Sequence, residues 1–565
     1  MVTRLRVVAV LASLIVLSGA CSNGSNGETG TGQTVSAQTK PIEALNALTT
    51  LPAAERSTTT TGPRKEPAGK VVYGWHTALT PAWLDPQDSG NVITAFGFMY
   101  AIHDAMIKSF PGNPLQPSLA ESYEMADDFK SVSFVIRASA KFQDGTPVTS
   151  DDVEFTYLNY RGTQNKLFKE KLDRIEKKDA KNITFFFKEP FLDFLILYGT
   201  PATGIGWIVP KAYYEKVGPD GFKQAPLGAG PYKLVRNTSN TELELEAFVD
   251  YWRKSPEIKT VIYRMITDDA TRFAALQTGE IDLMNVVQGA LLEPAKANKN
   301  LRLLQRSTTG FWLEFPGWEK PDSPFHDVRV RQAVSLAINR QEINVAETGG
   351  FARINNGNWA TFDTAGALQE SDIKPAWYEY NLDKAKKLMA DAGYPEGFEV
   401  PQLTPLAPYY PLAERVITQL AQIGIKTTLN RMERAAFVEA LTKGPDALPG
   451  IILNISGLNG DMAARWRVFT MCKEGIYGGS SRTCIPELDA KFKTQYEAST
   501  DPEARVKVMK ELQVSFNDMY VFPYVYNIGV TMAQGSRILN PPEDIWFSIP
   551  QYPYIYPWED VKLKS

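Results

Sequence analysis

LGAGPYKLVRNTSNTELELEAFVDYWRKSPEIKTVIYRMITDDATRFAALQTGEIDLM, residues Leu227 to Met284, decides the fold. Gly228 and Gly230 bracket a turn, and Pro231 fixes φ where a missing N–H is tolerated before a strand. Glu242, Glu244 and Glu246 alternate with Leu243, Leu245 and Ala247, the period of a strand with one wet face. Asn237-Thr238-Ser239-Asn240 is a run of turn formers, so that strand is the second arm of a hairpin. A third strand spans Thr260 to Ile266. Asp268 or Asp269 then caps a helix reaching about Thr278, with Gly279 just past its end. Strands and a helix at this spacing predict an α/β core.

Three further blocks extend the pattern. In LAESYEMADDFKSVSFVIRASAKFQDGTPVTSDDVEFTY, residues Ala120 to Tyr157, Val132, Phe134 and Ile136 alternate, Gln143 to Thr146 form a turn, and Ser150 or Asp151 caps a helix. After Asp327 as a cap, Val330, Ala333, Val334, Ala337 and Ile338 form a buried helix stripe. NLDKAKKLMADAGYPEGF repeats the device, with Ala385, Leu388, Met389 and Ala392 on one face and Gly393 as the stop. GAGPYKL, the DGTP turn, Phe325-x-Asp327-x-Arg329-Val330-Arg331-x-Ala333 and the ATRFAALQTGEIDLM segment together resemble the bacterial extracellular solute-binding proteins of the dipeptide, oligopeptide and nickel-binding family, family 5. These are the capture subunits of ABC importers. The resemblance runs from residue 71 to the C-terminus.

The resemblance implies a two-lobed α/β fold of the type II periplasmic-binding kind with an extra inserted domain. One discontinuous domain would comprise residues 70–110, 218–307 and 526–565. Residues 111–217 would be the insertion and 308–525 the third domain. The crossings near Thr308–Gly310 and Pro523–Tyr526 would form the hinge. A length of 565 residues independently suggests about three units at roughly 150 residues each.

Arg4 and Arg6, the run Val7 to Leu17 and Ser18-Gly19-Ala20 have the layout of a secretory signal over residues 1–20. That run is well short of the ~20 apolar residues that span a bilayer. LSGAC resembles a lipobox, although Ser18 stands where a branched residue is usual, and it would make Cys21 a lipidated N-terminus holding the chain to a membrane surface. Residues 21–69 are rich in Ser, Thr, Gly and Asn and lack aromatics, so they read as a tether that cannot offset its ordering entropy. The expected location is the periplasm or the outer face of the cell membrane.

The 60 basic and 64 acidic residues nearly cancel, which argues against nucleic acid as a partner. His76, His103 and His326 stand alone, no paired metal-ligand spacing occurs, and no nucleophile elbow, Walker loop or dinucleotide fingerprint is present. Acidic pairs such as Asp151-Asp152 and Asp268-Asp269 sit at helix starts, and Asp144 reads as a turn residue. No catalytic residue, metal or cofactor is expected. A secreted hydrolase and a ligand-dependent sensor remain the competing classes, and the resemblance favours a monomeric capture protein working with permease and ATPase subunits.

The candidate ligand contacts come from the family. Asp461, in the loop after the apolar strand Ile451 to Ile455, matches the acidic residue that holds a peptide ammonium; as a cap for a helix starting near Met462 it would have a purely structural role. Leu458 stands where oligopeptide binders place a Trp, and Ile455 where they place a carboxylate-binding Arg. Trp312 offers a stacking surface or hinge packing, and Gly310 lies at the crossing. The ligand expected is a small organic solute of peptide kind. Some relatives carry a cystine at the place of Cys472 and Cys484, and the glycines between the two let the loop turn back.

Overall fold

A computed structural model describes residues 66–88, 93–110, 113–162, 165–201, 204–354, 366–457, 462–472, 483–539 and 557–564. Chain contacts divide the protein into residues 1–40 and one unit from Pro41 to Ser565, to which all described residues belong. The signal and Cys21 expectations, and the tether as far as residue 65, lie outside the described residues; the first strand begins at Ala68, inside the expected end of the tether. So do Leu458 and Asp461.

The described chain enters through β1 (Ala68–Trp75). β2 (Ile107–Phe110) and β3 (Asn113–Pro117) pair as a ribbon. β4 (Ala120–Met125), β5 (Ser131–Ile136), β6 (Leu172–Lys177) and β7 (Asn182–Phe187) make an antiparallel sheet of order β4-β5-β7-β6. Its inner face packs an aromatic core that includes Phe134, Tyr157, Phe185 and Phe194. β8 (Tyr232–Thr238), β9 (Glu242–Ala247), β10 (Ile258–Met265), β11 (Leu283–Asn285) and β12 (Leu301–Glu314) follow. β13 (Phe398–Glu399) and β15 (Ile425–Lys426) pair with each other, while β14 (Leu403–Pro405), β16 (Ile451–Gly457) and β17 (Tyr524–Gly535) complete the large sheet. That sheet has nine strands in the order β14-β16-β12-β17-β11-β1-β10-β9-β8.

The segment 227–284 folds as its pattern requires. Leu243, Leu245 and Ala247 are buried and their Glu neighbours are not. Asp268 accepts from the Thr271 N–H at 2.7 Å to cap the helix Asp269–Thr278, and Gly279 ends it at φ 77°. The glycines of GAG have a different cause from the expected turn. A Cβ on Gly228 would stand 2.0 Å from the Ile102 carbonyl oxygen, and one on Gly230 would stand 2.5 Å from that of Ala101. Both are needed because the strand entry presses on the end of the helix Ile93–Ile102. Gln143, from the segment between β3 and β8, locks this contact: its amide donates to the carbonyls of Ile102 and Tyr232, each at 2.8 Å, and accepts from the Gly228 N–H at 3.1 Å.

Asp144 accepts from the Thr146 N–H at 2.9 Å, a turn role. The helix after it, Ser150–Asn159, is capped one residue earlier than expected, by Thr149 in a reciprocal box with Asp152. Asp327 caps Val328–Ala337 through the Arg329 N–H at 2.8 Å, and all five residues of the expected stripe are buried.

β12 and β17 are the two long strands of the large sheet. β17 meets β11 through Met532 to Gln534, and β12 meets β16 through Thr309 to Glu314. Between those contacts Gln305 to Ser307 pair with Thr531 to Gly529, followed by a register shift before Thr309, and among the described residues no third strand flanks either side. The large sheet therefore narrows to a two-stranded ribbon between its two halves.

Candidate functional site

β1 lies between β10 and β11 and runs parallel to both. The chain leaves β10, forms the helix Asp269–Thr278 and returns on the far side of β1 as β11. The carboxyl ends of β1 and β11 thus open side by side, the kind of place where open α/β sheets bind ligands. His76 follows β1 and Asn285 ends β11. The Asn285 amide meets His76 Nδ1, with Nδ2 at 2.9 Å and Oδ1 at 3.1 Å.

The next residue, Val286, is buried at φ 60°. A β-branched side chain in the left-handed region is strained, on the order of 1–3 kcal/mol, and such strain gathers at ligand clamps. Val287 is tied down by donating its N–H to the Thr531 carbonyl at 2.9 Å. At Gly289 a Cβ would lie 3.7 Å from Glu347, so this loop reaches the helix Arg340–Thr348. Glu347 is buried and paired with Arg415 at 2.7 Å.

Arg434 begins the helix Arg434–Thr442. It is 8% exposed, its Nη1 donates to the Ala407 carbonyl at 2.8 Å, and among the described residues its Nε has no acceptor. Burial holds the His76 imidazole well below its ordinary pKa, and the positive fields of Arg434 and Arg272 push it further down. His76 is therefore neutral at pH 7. Arg272 is itself engaged, with Asp269 at 2.5 Å and the Ile266 carbonyl at 2.6 Å.

A second polar cluster joins distant segments. Asp193, after β7, accepts from Arg467 Nη2 at 3.2 Å and from Arg505; Arg467 also pairs with Glu497. The side chains of Asp193, Arg467 and Arg505 are 11%, 4% and 8% exposed.

Of the residues expected at the site, Gly310 is buried within β12, opposite Ser456 of β16 and Asn527 of β17. Trp312 is fully buried: its ring stacks on Phe522 at 5.5 Å, meets Phe469 edge-on, and its Nε1 donates to Glu314 at 2.8 Å. No face of Trp312 is open to a ligand here, which is the packing role rather than the stacking one. Met462 opens a helix to Thr470, directly after Asp461. Cys472 and Cys484 are joined, with Cα atoms 4.4 Å apart. His76 and Asn285 were missed as a pair; the one local signal was a rare His at the end of a strand. Among the described residues no cluster of His, Cys, Asp or Glu could hold a metal, and no helix is long and apolar enough to cross a membrane.

A two-lobed solute-binding architecture is the class this fold defines. The chain belongs to the bacterial extracellular solute-binding proteins, family 5, whose model matches residues 114–453. A glutathione-binding protein of Salmonella choleraesuis strain SC-B67 is 28% identical over 456 residues, covering 76% of this chain and 84% of that one. The structure of a periplasmic binding protein DppA of Helicobacter pylori in complex with the peptide STSA superposes with a TM-score of 0.75 at 20% identity, covering 88% of this chain and 98% of the other. That of AgaA from A. tumefaciens R10 in complex with agropinic acid gives 0.73 at 23% identity, covering 88% and 99%.

Proposed function

We propose that this protein is the extracytoplasmic capture subunit of an ABC importer, taking a small organic solute of peptide kind in a crevice between lobes and delivering it to a permease. The single observation that carries the crevice is the paired carboxyl ends of β1 and β11, with strained Val286 between His76–Asn285 and the helix carrying Glu347. Family membership and the ligands named for the relatives, glutathione, a peptide and agropinic acid, support the ligand class.

Residues 70–110, 218–307 and 526–565 serve as one domain, 111–217 as the insertion and 308–525 as the third. The narrowed ribbon is the natural hinge, since a two-stranded stretch bends without breaking a third ladder. On β12 it includes the expected Thr308; on β17 it falls at 528–531, a few residues beyond the expected Pro523–Tyr526. Cys21 carries the lipid anchor, and Asp461, next to a helix start, holds a cationic group of the solute. The protein binds its solute without transforming it.

Calorimetric titration with glutathione, di- and tripeptides, oligosaccharides and nickel complexes tests this reading. Saturable binding of a peptide-like solute, recovered chemically intact, is expected. Tight binding of nickel complexes alone, or conversion of the bound solute, overturns it.

A further inference from the structure

The segment 111–217 is bound to its neighbours in two different ways. Toward 70–110 and 218–307 it shares an apolar core: Met106, Ile107 and Ala229 belong to the same buried cluster as Phe134, Tyr157 and Phe185, and none of the described residues of 308–525 does. Hydrogen bonds add to that core, from the Tyr214 hydroxyl to Asp85 at 2.6 Å and from the Gln143 amide to the carbonyls of Ile102 and Tyr232. Toward 308–525 it offers ion pairs. Asp193 meets Arg467 at 3.2 Å and also Arg505, and Lys171 meets Glu497 at 4.0 Å.

The 308–525 side of this contact is assembled before the other side arrives. Arg467 pairs with Glu497 and lies over the Phe492 ring at 4.9 Å, and Arg505 lies over the Tyr496 ring at 4.0 Å, all within that segment. Stacked guanidinium planes are held in place by the rings, so little side-chain freedom is lost when a carboxylate docks. Arg467, Arg505 and Glu497 together carry one net positive charge, two cations against one anion, and Asp193 meets it. Lys171 brings its own acid, Glu189, from the 111–217 side. Ion pairs of this kind can separate into water without exposing apolar surface, whereas the core shared with 70–110 and 218–307 cannot. The segment 111–217 therefore travels with those two, and its contact with 308–525 is the reversible one.

We propose that the insertion 111–217 is a clasp: fixed to the first domain, it reaches across to the third through Asp193 and Lys171 and sets how fast a captured solute leaves. Asp193 is then a positioning residue that touches no solute and acts through Arg467 and Arg505. This rests on the capture reading and its division into domains, and it gives the insertion a task. The clasp forms after the solute has entered, so it governs release rather than entry, as removal of one partner of a buried charge pair changes dissociation more than association.

The test uses the full chain with glutathione as the probe, followed by stopped flow. Asp193→Asn, which keeps the shape of the side chain and removes its charge, should release glutathione at least tenfold faster while association stays within threefold. A loss of folded protein would instead lower the binding fraction and leave the release rate alone. Arg505→Gln should behave in the same way, and the double variant should be no more than threefold faster than either single one. Lys177→Met, which breaks pairs with Asp151 and Glu154 inside the insertion, should stay within twofold of wild type. X-ray scattering of the solute-free protein should give a larger radius of gyration for Asp193→Asn than for wild type. An acceleration below tenfold, or equal radii, overturns the clasp and leaves the capture reading standing. If glutathione does not bind wild type, the radii alone decide the clasp, and the failed titration counts against the ligand class.

Discussion

Replacing Asp193 by Ala is the perturbation whose magnitude the structure defines best. Asp193 belongs to the segment 111–217, whereas Arg467 and Arg505 lie on helices of the segment 308–525, and all three side chains are nearly buried. Without the carboxylate, Arg467 keeps Glu497. Among the described residues, Arg505 keeps long bonds to the carbonyls of Tyr496 at 3.5 Å and Ser499 at 3.4 Å, and the Tyr496 ring at 4.0 Å. Breaking a buried ion pair by deleting one partner costs about 3–5 kcal/mol, because a charge is left uncompensated. Retention of Glu497 places the expected loss near the lower end, about 3 kcal/mol. Urea denaturation of Asp193→Ala, Arg505→Ala and the double variant forms a cycle, and a coupling of at least ~1.5 kcal/mol is expected for residues in one buried network. A coupling below ~0.5 kcal/mol, with single losses that simply add, would refute the reasoning. Because the pairs bridge segments, Asp193→Ala should also favour an open arrangement, visible as a larger radius of gyration by X-ray scattering.

Burial, aided by the Lys108 ammonium, pushes His103 from 6.5 down to about 3. The unfolded chain therefore takes the proton first: stability is unchanged above pH ~6.5 and falls as the pH drops toward 3, by about 2 kcal/mol at pH 5. His103→Gln should flatten that part of the slope in denaturation curves at pH 7.5 and 5, and an unchanged slope would contradict the assignment. The Cys472–Cys484 bridge closes a loop of sequence separation 12, so its removal in a Cys472→Ser, Cys484→Ser variant should cost about 3 kcal/mol in the chain-entropy model. A variant with wild-type stability, or free thiols in oxidised protein, would count against the bridge.

What the sequence made legible is what short-range periodicity encodes. The alternation of Glu242 to Ala247, the Asp268 and Asp327 caps and the buried stripe from Val330 to Ile338 are local patterns, and the structure reproduces them. Gly228 and Gly230 were read as a turn because glycine's commonest use is a local one; their actual cause, the close approach of Ile102, is a contact between distant segments. Thr149 and Ser150 are both good caps, so the one-residue error at that helix came from a degenerate signal. Trp312 was open to either stacking or hinge packing because it lies next to the expected crossing; in the structure Phe469 and Phe522, from far along the chain, pack against it. His76 and Asn285 share no spacing at all. They meet only because β1 and β11 are adjacent, and topology of that kind leaves no periodic trace.

Hydrogen exchange, compared between the free protein and its complex with a peptide found by calorimetry, tests the crevice most directly. The account predicts protection on binding at residues 285–289 and across the ribbon 305–308 with 528–531 as the hinge settles. Protection confined to the sheet β4-β5-β7-β6, with those two regions exchanging as in the free protein, would contradict it.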